Sequence, residues 1–369
     1  MFAKYNFKKY DVLLVLLTIA ISVLGIQFIG SAKEELVARQ TQGLILGVTL
    51  MLIISLIDYQ FILKFYWLLY IASLALLIFV KLFGDSGGGA SRWFEIGGLR
   101  FQPSEIVKIL LILFYAQFIM KHRETINTIR MLFACTVLIV PPFVLIYMQP
   151  DLSTSIMILI IFAVVMFVGG LSYKIVIGFI VIMVPAAVIF LNMVLQPDQK
   201  ILNEYQQLRI LAWLQPEKYA TTIAYQTMNG ITAIGSGQLT GKGLNNNVIA
   251  SVKNGNFISA AQTDFIFAVV GEELGFVGCC AVIGLLFLIV LECILIARKA
   301  KDLAGSVIAA GMAGLIGFQT FINIGVVTAI LPNTGLTLPF VSYGLTSLVS
   351  LFIGIGFVLN VKLQTSRYM

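Results

Sequence analysis

Apolar runs close to twenty residues long alternate along this chain with short polar punctuation, and the rhythm breaks in one place. Between Gln196 and Asp264 the apolar pattern stops for 69 residues, then resumes as Gln262-Thr263-Asp264-Phe265-Ile266-Phe267-Ala268. Repeated apolar stretches of about 18 or more residues are read as transmembrane helices. They predict spans at 12–29, 41–57, 61–82, 103–120, 131–148, 153–170, 173–195, 265–297, 305–330 and 344–361. The fold class that follows is an all-α membrane protein, a ten-transmembrane-helix bundle forming one polytopic domain over residues 1–369. A large extracytoplasmic loop, 196–264, lies between helices 7 and 8. Loops of that length are usually functional or disordered. Trp213, several tyrosines and a Gly-rich stretch favour an ordered one.

Composition agrees. With 59% hydrophobic and 11% charged residues, too little polar surface remains for a soluble domain. Ten spans put both termini on one side. The loops and tails there hold Lys4, Lys8, Lys9, Lys64, Lys121, Arg123, Arg130, Lys174, Arg298, Lys299, Lys301, Lys362 and Arg367, which is 13 of the 24 Lys and Arg residues. The opposite set holds ten, diluted over far longer loops. The positive-inside rule then places both termini in the cytoplasm and 196–264 outside. The net charge of +7 reads as orientation and attraction to anionic headgroups, with no nucleic acid implied. The first span follows Lys8, Lys9 and Tyr10 without a small-residue cleavage site before Lys33, so it reads as a retained anchor. Cys135, Cys279, Cys280 and Cys293 all fall within predicted spans and lack metal-type spacing.

Gln-Pro followed by an acidic residue recurs four times, at Gln102-Pro103-Ser104-Glu105, Gln149-Pro150-Asp151, Gln196-Pro197-Asp198 and Gln215-Pro216-Glu217. Proline suits the first helical position, and a carboxylate in the first turn faces the positive helix end. The first two copies open spans and present Glu105 and Asp151 at the outer mouth of the bundle. The last outer loop, from Leu331 to Gly344, carries no charge; its two prolines and two glycines prevent a continuous helix.

The single histidine, His122, sits in a predicted cytoplasmic loop, so no histidine base serves an outer site and a Ser-His-Asp arrangement is excluded. The run Gly235-Ser236-Gly237-Gln238-Leu239-Thr240-Gly241-Lys242-Gly243 fails as a nucleotide-binding loop, since Ser236 and Gly243 replace required residues. Such a Gly-rich backbone with one lysine either cradles an anion or forms a flexible turn. Glu105 and Lys108 share one face of the fourth span and can pair. A charge at the bilayer centre costs about 2.5–3.5 kcal/mol on insertion scales, so the pair faces the bundle interior, as structure or as site. Asp264 immediately precedes an apolar stretch of about 33 residues, near 50 Å as helix against a core of about 30 Å. That stretch is expected to project or tilt, leaving Asp264 in outer water, either as a base or as a helix cap.

Several stretches resemble one family in order along nearly the whole chain. They are Arg92-Trp93-Phe94, Phe101-Gln102-Pro103-Ser104-Glu105-Ile106-Val107-Lys108, Gln149-Pro150-Asp151-Leu152-Ser153-Thr154, Ala224-Tyr225-Gln226, Ile234-Gly235-Ser236-Gly237, Gly241-Lys242-Gly243, Thr263 to Gly275, and Leu338-Pro339-Phe340-Val341-Ser342-Tyr343-Gly344. The chain is identified by them as similar to the SEDS family (shape, elongation, division and sporulation), whose branches are RodA, FtsW and SpoVE. Its short tails resemble the RodA branch. Departures are modest: Gln262 stands where many members have His, Asn333 where Val is common, and Leu345-Thr346 follows Tyr343-Gly344.

The resemblance implies a peptidoglycan glycosyltransferase of the bacterial cytoplasmic membrane that polymerises lipid II into β-1,4 glycan strands on the outer face. It implies Asp264 as the essential acidic residue, with Glu105 and Lys108 as the matching charged pair. Arg92, Asp151, Arg209, Lys242, Gln226, Ser342 and Tyr343 are expected in substrate-binding or structural positions. Its implied partners are a class B penicillin-binding protein, which is a transpeptidase, and other elongation or division proteins. In the implied reaction a sugar 4-hydroxyl displaces undecaprenyl diphosphate, with inversion of an α-linked donor. One carboxylate suffices as base, because diphosphate leaves readily once its charge is steadied. Lys242, Arg209 and Arg92, or a divalent cation such as Mg or Mn, could steady it. A flippase for the same lipid and a non-catalytic scaffold for a transpeptidase are the competing readings; the crowding of polar groups on the outer side counts against a flippase.

Overall fold

The computed structural model describes residues 5, 7–84, 92–96, 99–196, 204–244, 258 and 261–364. The third Gln-Pro-acidic motif therefore loses Pro197 and Asp198 from description. In chain order the helices are α1 Val12–Ala32, α2 Val37–Leu56, α3 Tyr59–Leu63, α4 Tyr66–Phe83, α5 Pro103–Lys121, α6 Ile129–Tyr147 and α7 Leu152–Val168. They continue with α8 Tyr173–Val194, α9 Glu204–Leu214, α10 Tyr225–Ser236, α11 Ile266–Arg298, α12 Leu303–Val327 and α13 Leu345–Leu363. Among the described residues, eight helices are long and apolar enough to cross a membrane: α1, α2 with the turn before it, α4, α5, α6, α11, α12 and α13. At the expected spans 153–170 and 173–195 lie the apolar helices α7, of 17 residues, and α8, of 22.

The expected span 61–82 also divides. Asp58 accepts a hydrogen bond from Gln60 N at 2.9 Å and starts the five-residue α3. The membrane helix α4 begins only at Tyr66. Carboxylates start other helices in the same way: Asp11 accepts from Leu14 N at 3.1 Å at α1. Proline opens α5 at Pro103, as the Gln-Pro pattern predicts. At the second copy the pattern shifts by one, because Asp151 itself caps α7 and the proline precedes the helix.

Close packing divides the chain into two compact units. The first contains residues 1–170, 282–320 and 339–369. Helices α5 and α13 are buried on nearly all sides and form its core. Between lipid-embedded helices, packing and polar ties replace the hydrophobic drive, which favours small residues at contacts. Thus α2 meets α13 where a β-carbon on Gly47 would stand 2.6 Å from the Phe352 ring. Gln40 of α2 donates to Ser342 O at 3.2 Å and accepts from Gly344 N at 3.2 Å. Tyr59 donates its hydroxyl to Asp302 at 2.9 Å, and burial together with that carboxylate raises its pKa, which keeps the phenol a donor. A hairpin that the all-α expectation omits also lies here, β1 Phe94–Ile96 antiparallel to β2 Leu99–Phe101. Phe94 and Phe101 pair across it with ring centres 4.9 Å apart, and Glu95 stands opposite Arg100.

The second unit contains residues 171–281 and 321–338: α8, α9, α10, the first half of α11, the end of α12 and the chain that follows it. Its decisive feature corrects the continuous 33-residue helix expected after Asp264. Gly275 leaves helical geometry (φ 63°, ψ −158°), so α11 is two helices, 266–274 and 276–298. The later piece is about 35 Å long, close to the hydrocarbon thickness of about 30 Å. The excess length becomes a separate nine-residue helix in which every side chain from Ile266 to Glu273 is buried. The Gly-rich segment that follows α10 fills the break. Lys242 N donates to Glu272 O at 3.0 Å and Gly243 N to Glu273 O at 2.9 Å. On the far side, Phe276 N donates to Gln238 O at 2.8 Å and Val277 N to Leu239 O at 3.1 Å.

The dihedrals of Gly275 lie in a region reserved for glycine, and an added β-carbon would stand 2.4 Å from Gly241 N. Gly275→Ala should therefore cost at least about 1–3 kcal/mol in backbone strain alone. Gly284, within the later piece with nothing near its missing β-carbon, is the control. Gly284→Ala should be neutral or stabilise by up to about 1 kcal/mol. Thermal unfolding in detergent, followed by size-exclusion, checks both; equal unfolding temperatures would refute the assignment of the break.

Candidate active site

Asp264 lies in the turn 261–265, two residues before the short helix begins, and is partly exposed. Two features hold that turn. Asn323 of α12, 1% exposed, uses its amide nitrogen twice, donating to Asp264 O at 2.8 Å and to Leu336 O at 2.6 Å. An amide NH2 has two donors, so one side chain ties two backbone segments together. Gly335, at φ 79°, lies directly against the carboxylate: a β-carbon there would be 3.3 Å from Asp264 Oδ2. The base candidate thus sits over bare backbone.

The other side of the same loop is held by α9. Arg209 donates to Asn333 O at 3.2 Å and Trp213 Nε1 to Ala329 O at 3.1 Å. Between α9, α10 and this loop is a cavity of about 160 Å³, lined by Arg209, Trp213, Thr227, Met228, Leu331 and Asn333 among others. Arg209 and Asp264 therefore meet the same loop two residues apart, at Asn333 and at Gly335. Gln226, half-buried, occupies the first turn of α10.

Lys242 sits elsewhere in this unit, at the far end of the short helix from Asp264. Its ammonium pairs with Glu272 Oε1 at 2.9 Å. The N–H groups of Lys242 and Gly243, which an anion cradle would use, are committed to the carbonyls of Glu272 and Glu273.

In the first unit, Lys108 (0% exposed) donates to Glu105 Oε1 at 2.8 Å and to Gln319 Oε1 at 3.0 Å. Glu105 is 5% exposed, and its second oxygen has no hydrogen-bond partner among the described residues. Arg92 grips the carbonyls of Gln149 and Pro150. Asp151, next in sequence, caps α7 by accepting from Thr154 N at 3.1 Å and also accepts from Gln102 Nε2 at 3.4 Å. Arg92, Gln102 and Asp151 are thereby gathered at the start of α7. Ser342 is buried with its carbonyl held by Gln40, and Tyr343 is half-exposed. Asn323 and Gln319 are absent from the sequence-based candidates. Their signal is two amides four residues apart in an otherwise apolar run.

Removing one member of a buried ion pair strands the other charge, at a cost of about 3–5 kcal/mol, whereas replacing both by apolar groups is often neutral. Lys108→Met should therefore destabilise the protein by about that amount. The double variant Glu105→Leu/Lys108→Met should recover most of the stability in thermal unfolding. If it also remains inactive, the pair serves more than folding.

Residues 7–367 match the family described as cell cycle protein, FtsW/RodA/SpoVE. The chain is 34% identical over 363 residues to the peptidoglycan glycosyltransferase MrdB of Escherichia coli (strain K12), covering 97% of this chain and 94% of that one. It is 35% identical over 348 residues to the probable peptidoglycan glycosyltransferase FtsW of Bacillus subtilis (strain 168), covering 90% and 83%. Among solved structures it is similar to the rod shape determining protein RodA of Thermus thermophilus, with 30% identity, a TM-score of 0.69 and 98% of each chain covered. It is also similar to a chain from work on structural coordination of polymerization and crosslinking by a peptidoglycan synthase complex (32% identity, TM-score 0.79, 96% and 97% covered). With a family match over almost its whole length and relatives above 30% identity, this multi-pass chain belongs to the FtsW/RodA/SpoVE family, the SEDS family its motifs resemble.

Proposed function

We propose that this chain is a peptidoglycan glycosyltransferase that polymerises lipid II into β-1,4 glycan strands outside the cytoplasmic membrane, with Asp264 as general base. The activity is the one named for its Escherichia coli and Bacillus subtilis relatives. The observation that supports the role of Asp264 is its placement: a partly exposed carboxylate just before a helix buried from Ile266 to Glu273, resting on the Gly335 backbone. Partial exposure leaves the carboxylate open to an incoming hydroxyl, and the turn that carries it is held by Asn323.

The acceptor 4-hydroxyl gives its proton to Asp264 as its oxygen attacks the anomeric carbon, and undecaprenyl diphosphate leaves from the opposite face with inversion. Arg209, whose guanidinium bonds Asn333 O two residues before Gly335, is the proposed contact for the departing diphosphate. Magnesium and manganese are commonly held by one or two carboxylates together with substrate phosphates. Asp264 could offer one carboxylate to such an ion, which would then help to neutralise the departing diphosphate. Both termini are assigned to the cytoplasm, from the distribution of Lys and Arg. A class B penicillin-binding protein is the proposed partner, supported by the likeness to a chain of a peptidoglycan synthase complex.

Purified protein, alone and with its transpeptidase partner, is given fluorescent lipid II. Wild type should yield long glycan strands. Asp264→Asn should lower the rate by about 10²–10⁴-fold, the usual contribution of a general base, while eluting and melting like wild type. Full activity in Asp264→Asn would remove Asp264 from the chemistry, and no product from wild type with its partner would overturn the enzymatic reading itself.

A further inference from the structure

We infer that Lys242 and Glu272 form a positioning pair that sets the orientation of the short helix 266–274 and hence of Asp264. The inference rests on the proposed role of Asp264 as base. It gives Lys242 a task other than contact with the leaving diphosphate.

A nine-residue helix is marginal alone, so something outside it must hold it. Its last carbonyls end at Gly275 inside the protein, where unpaired backbone groups are costly. The Gly-rich segment answers both needs with four backbone hydrogen bonds, two to each side of the break. The approach is close enough that a β-carbon on Gly241 would stand 2.1 Å from Glu273 O. Lys242 then holds one residue at two points. Its N–H donates to the carbonyl of Glu272 at 3.0 Å, and its ammonium meets the carboxylate of Glu272 at 2.9 Å. The Glu272 side chain is 5% exposed and the Lys242 side chain 31%, so the carboxylate is the member that needs its partner.

A grip on both backbone and side chain resists rotation of the helix about its axis, which a backbone bond alone does not. Side-chain tips stand about 5–6 Å from a helix axis, so a 10° turn shifts them by about 1 Å. A misplacement of that size can cost on the order of 10²-fold in rate. The pair would thus act on kcat through Asp264 without touching substrate.

The test uses the full chain with its transpeptidase partner and fluorescent lipid II. Lys242→Met and Glu272→Gln should each lower kcat by roughly tenfold or more, with KM changed by less than about twofold. Lys242→Arg should keep most of the activity. The exchange Lys242→Glu/Glu272→Lys should exceed either of its single changes. Hydrogen exchange supplies a readout independent of activity: amides at 261–266 should lose protection in Lys242→Met and regain it in Lys242→Arg. A raised KM at unchanged kcat, with weaker inhibition by free inorganic diphosphate in Lys242 variants only, would instead make Lys242 an anion contact. Unchanged exchange at 261–266 would overturn the inference even where the wild type makes no strands, an outcome that counts separately against Asp264 as base. Where Lys242→Met or Glu272→Gln fails to elute as folded protein, Lys242→Arg and the exchanged pair decide.

Discussion

A chain that leaves helical geometry inside an apolar protein must still pair its backbone N–H and C=O groups, and in this protein that demand falls on Gly275. The break makes the short helix possible, and the short helix carries Asp264 at its start. Neither would persist without the segment 238–243, whose N–H and C=O groups replace the helical bonds lost at the break. Gly241 is explained by backbone-to-backbone approach and Gly243 by its positive φ, with no need for an anion. A sequence pattern close to a phosphate loop here serves as a splice between two helices.

Several of the charged groups are given partners that tie elements together. Lys108 divides its donors between Glu105, one turn before it, and Gln319 of α12. Arg92 and Asp151 hold successive parts of the start of α7, one by gripping carbonyls and the other by accepting N–H. Such groups are expensive in an apolar surround, and what they return is position. That explains why so many of the sequence-based candidates prove to be bound into the scaffold as well as available for chemistry.

Much of this was legible beforehand, and the failures have physical causes. Asp264 stands out because it opens a long apolar run, though spacing alone leaves it as either a base or a helix cap, and the family motif is what singles it out. The membrane helices announce themselves by length and hydropathy. The break at Gly275 does not, since glycine within an apolar run is compatible with a membrane helix and leaves the periodicity unchanged. The β1–β2 hairpin escapes because three-residue strands are too short for alternation to register. Asn323 and Gln319 look like scattered polar residues until their partners, distant in sequence, are known. Lys242 was read by its motif, and its actual partner Glu272 lies thirty residues on.

The two ends of the short helix also make electrostatic sense together. A helix presents partial positive charge at its start and partial negative charge at its end, and burial leaves that field poorly screened. Asp264 stands at the positive end and Lys242 at the negative end, so both charges complement the same dipole. The charges at its two ends thus help to fix the short helix, and with it the direction in which the Asp264 carboxylate points. For the proposed role of that carboxylate as base, aim counts for much: a misdirected group does not relieve an attacking hydroxyl as the new bond forms.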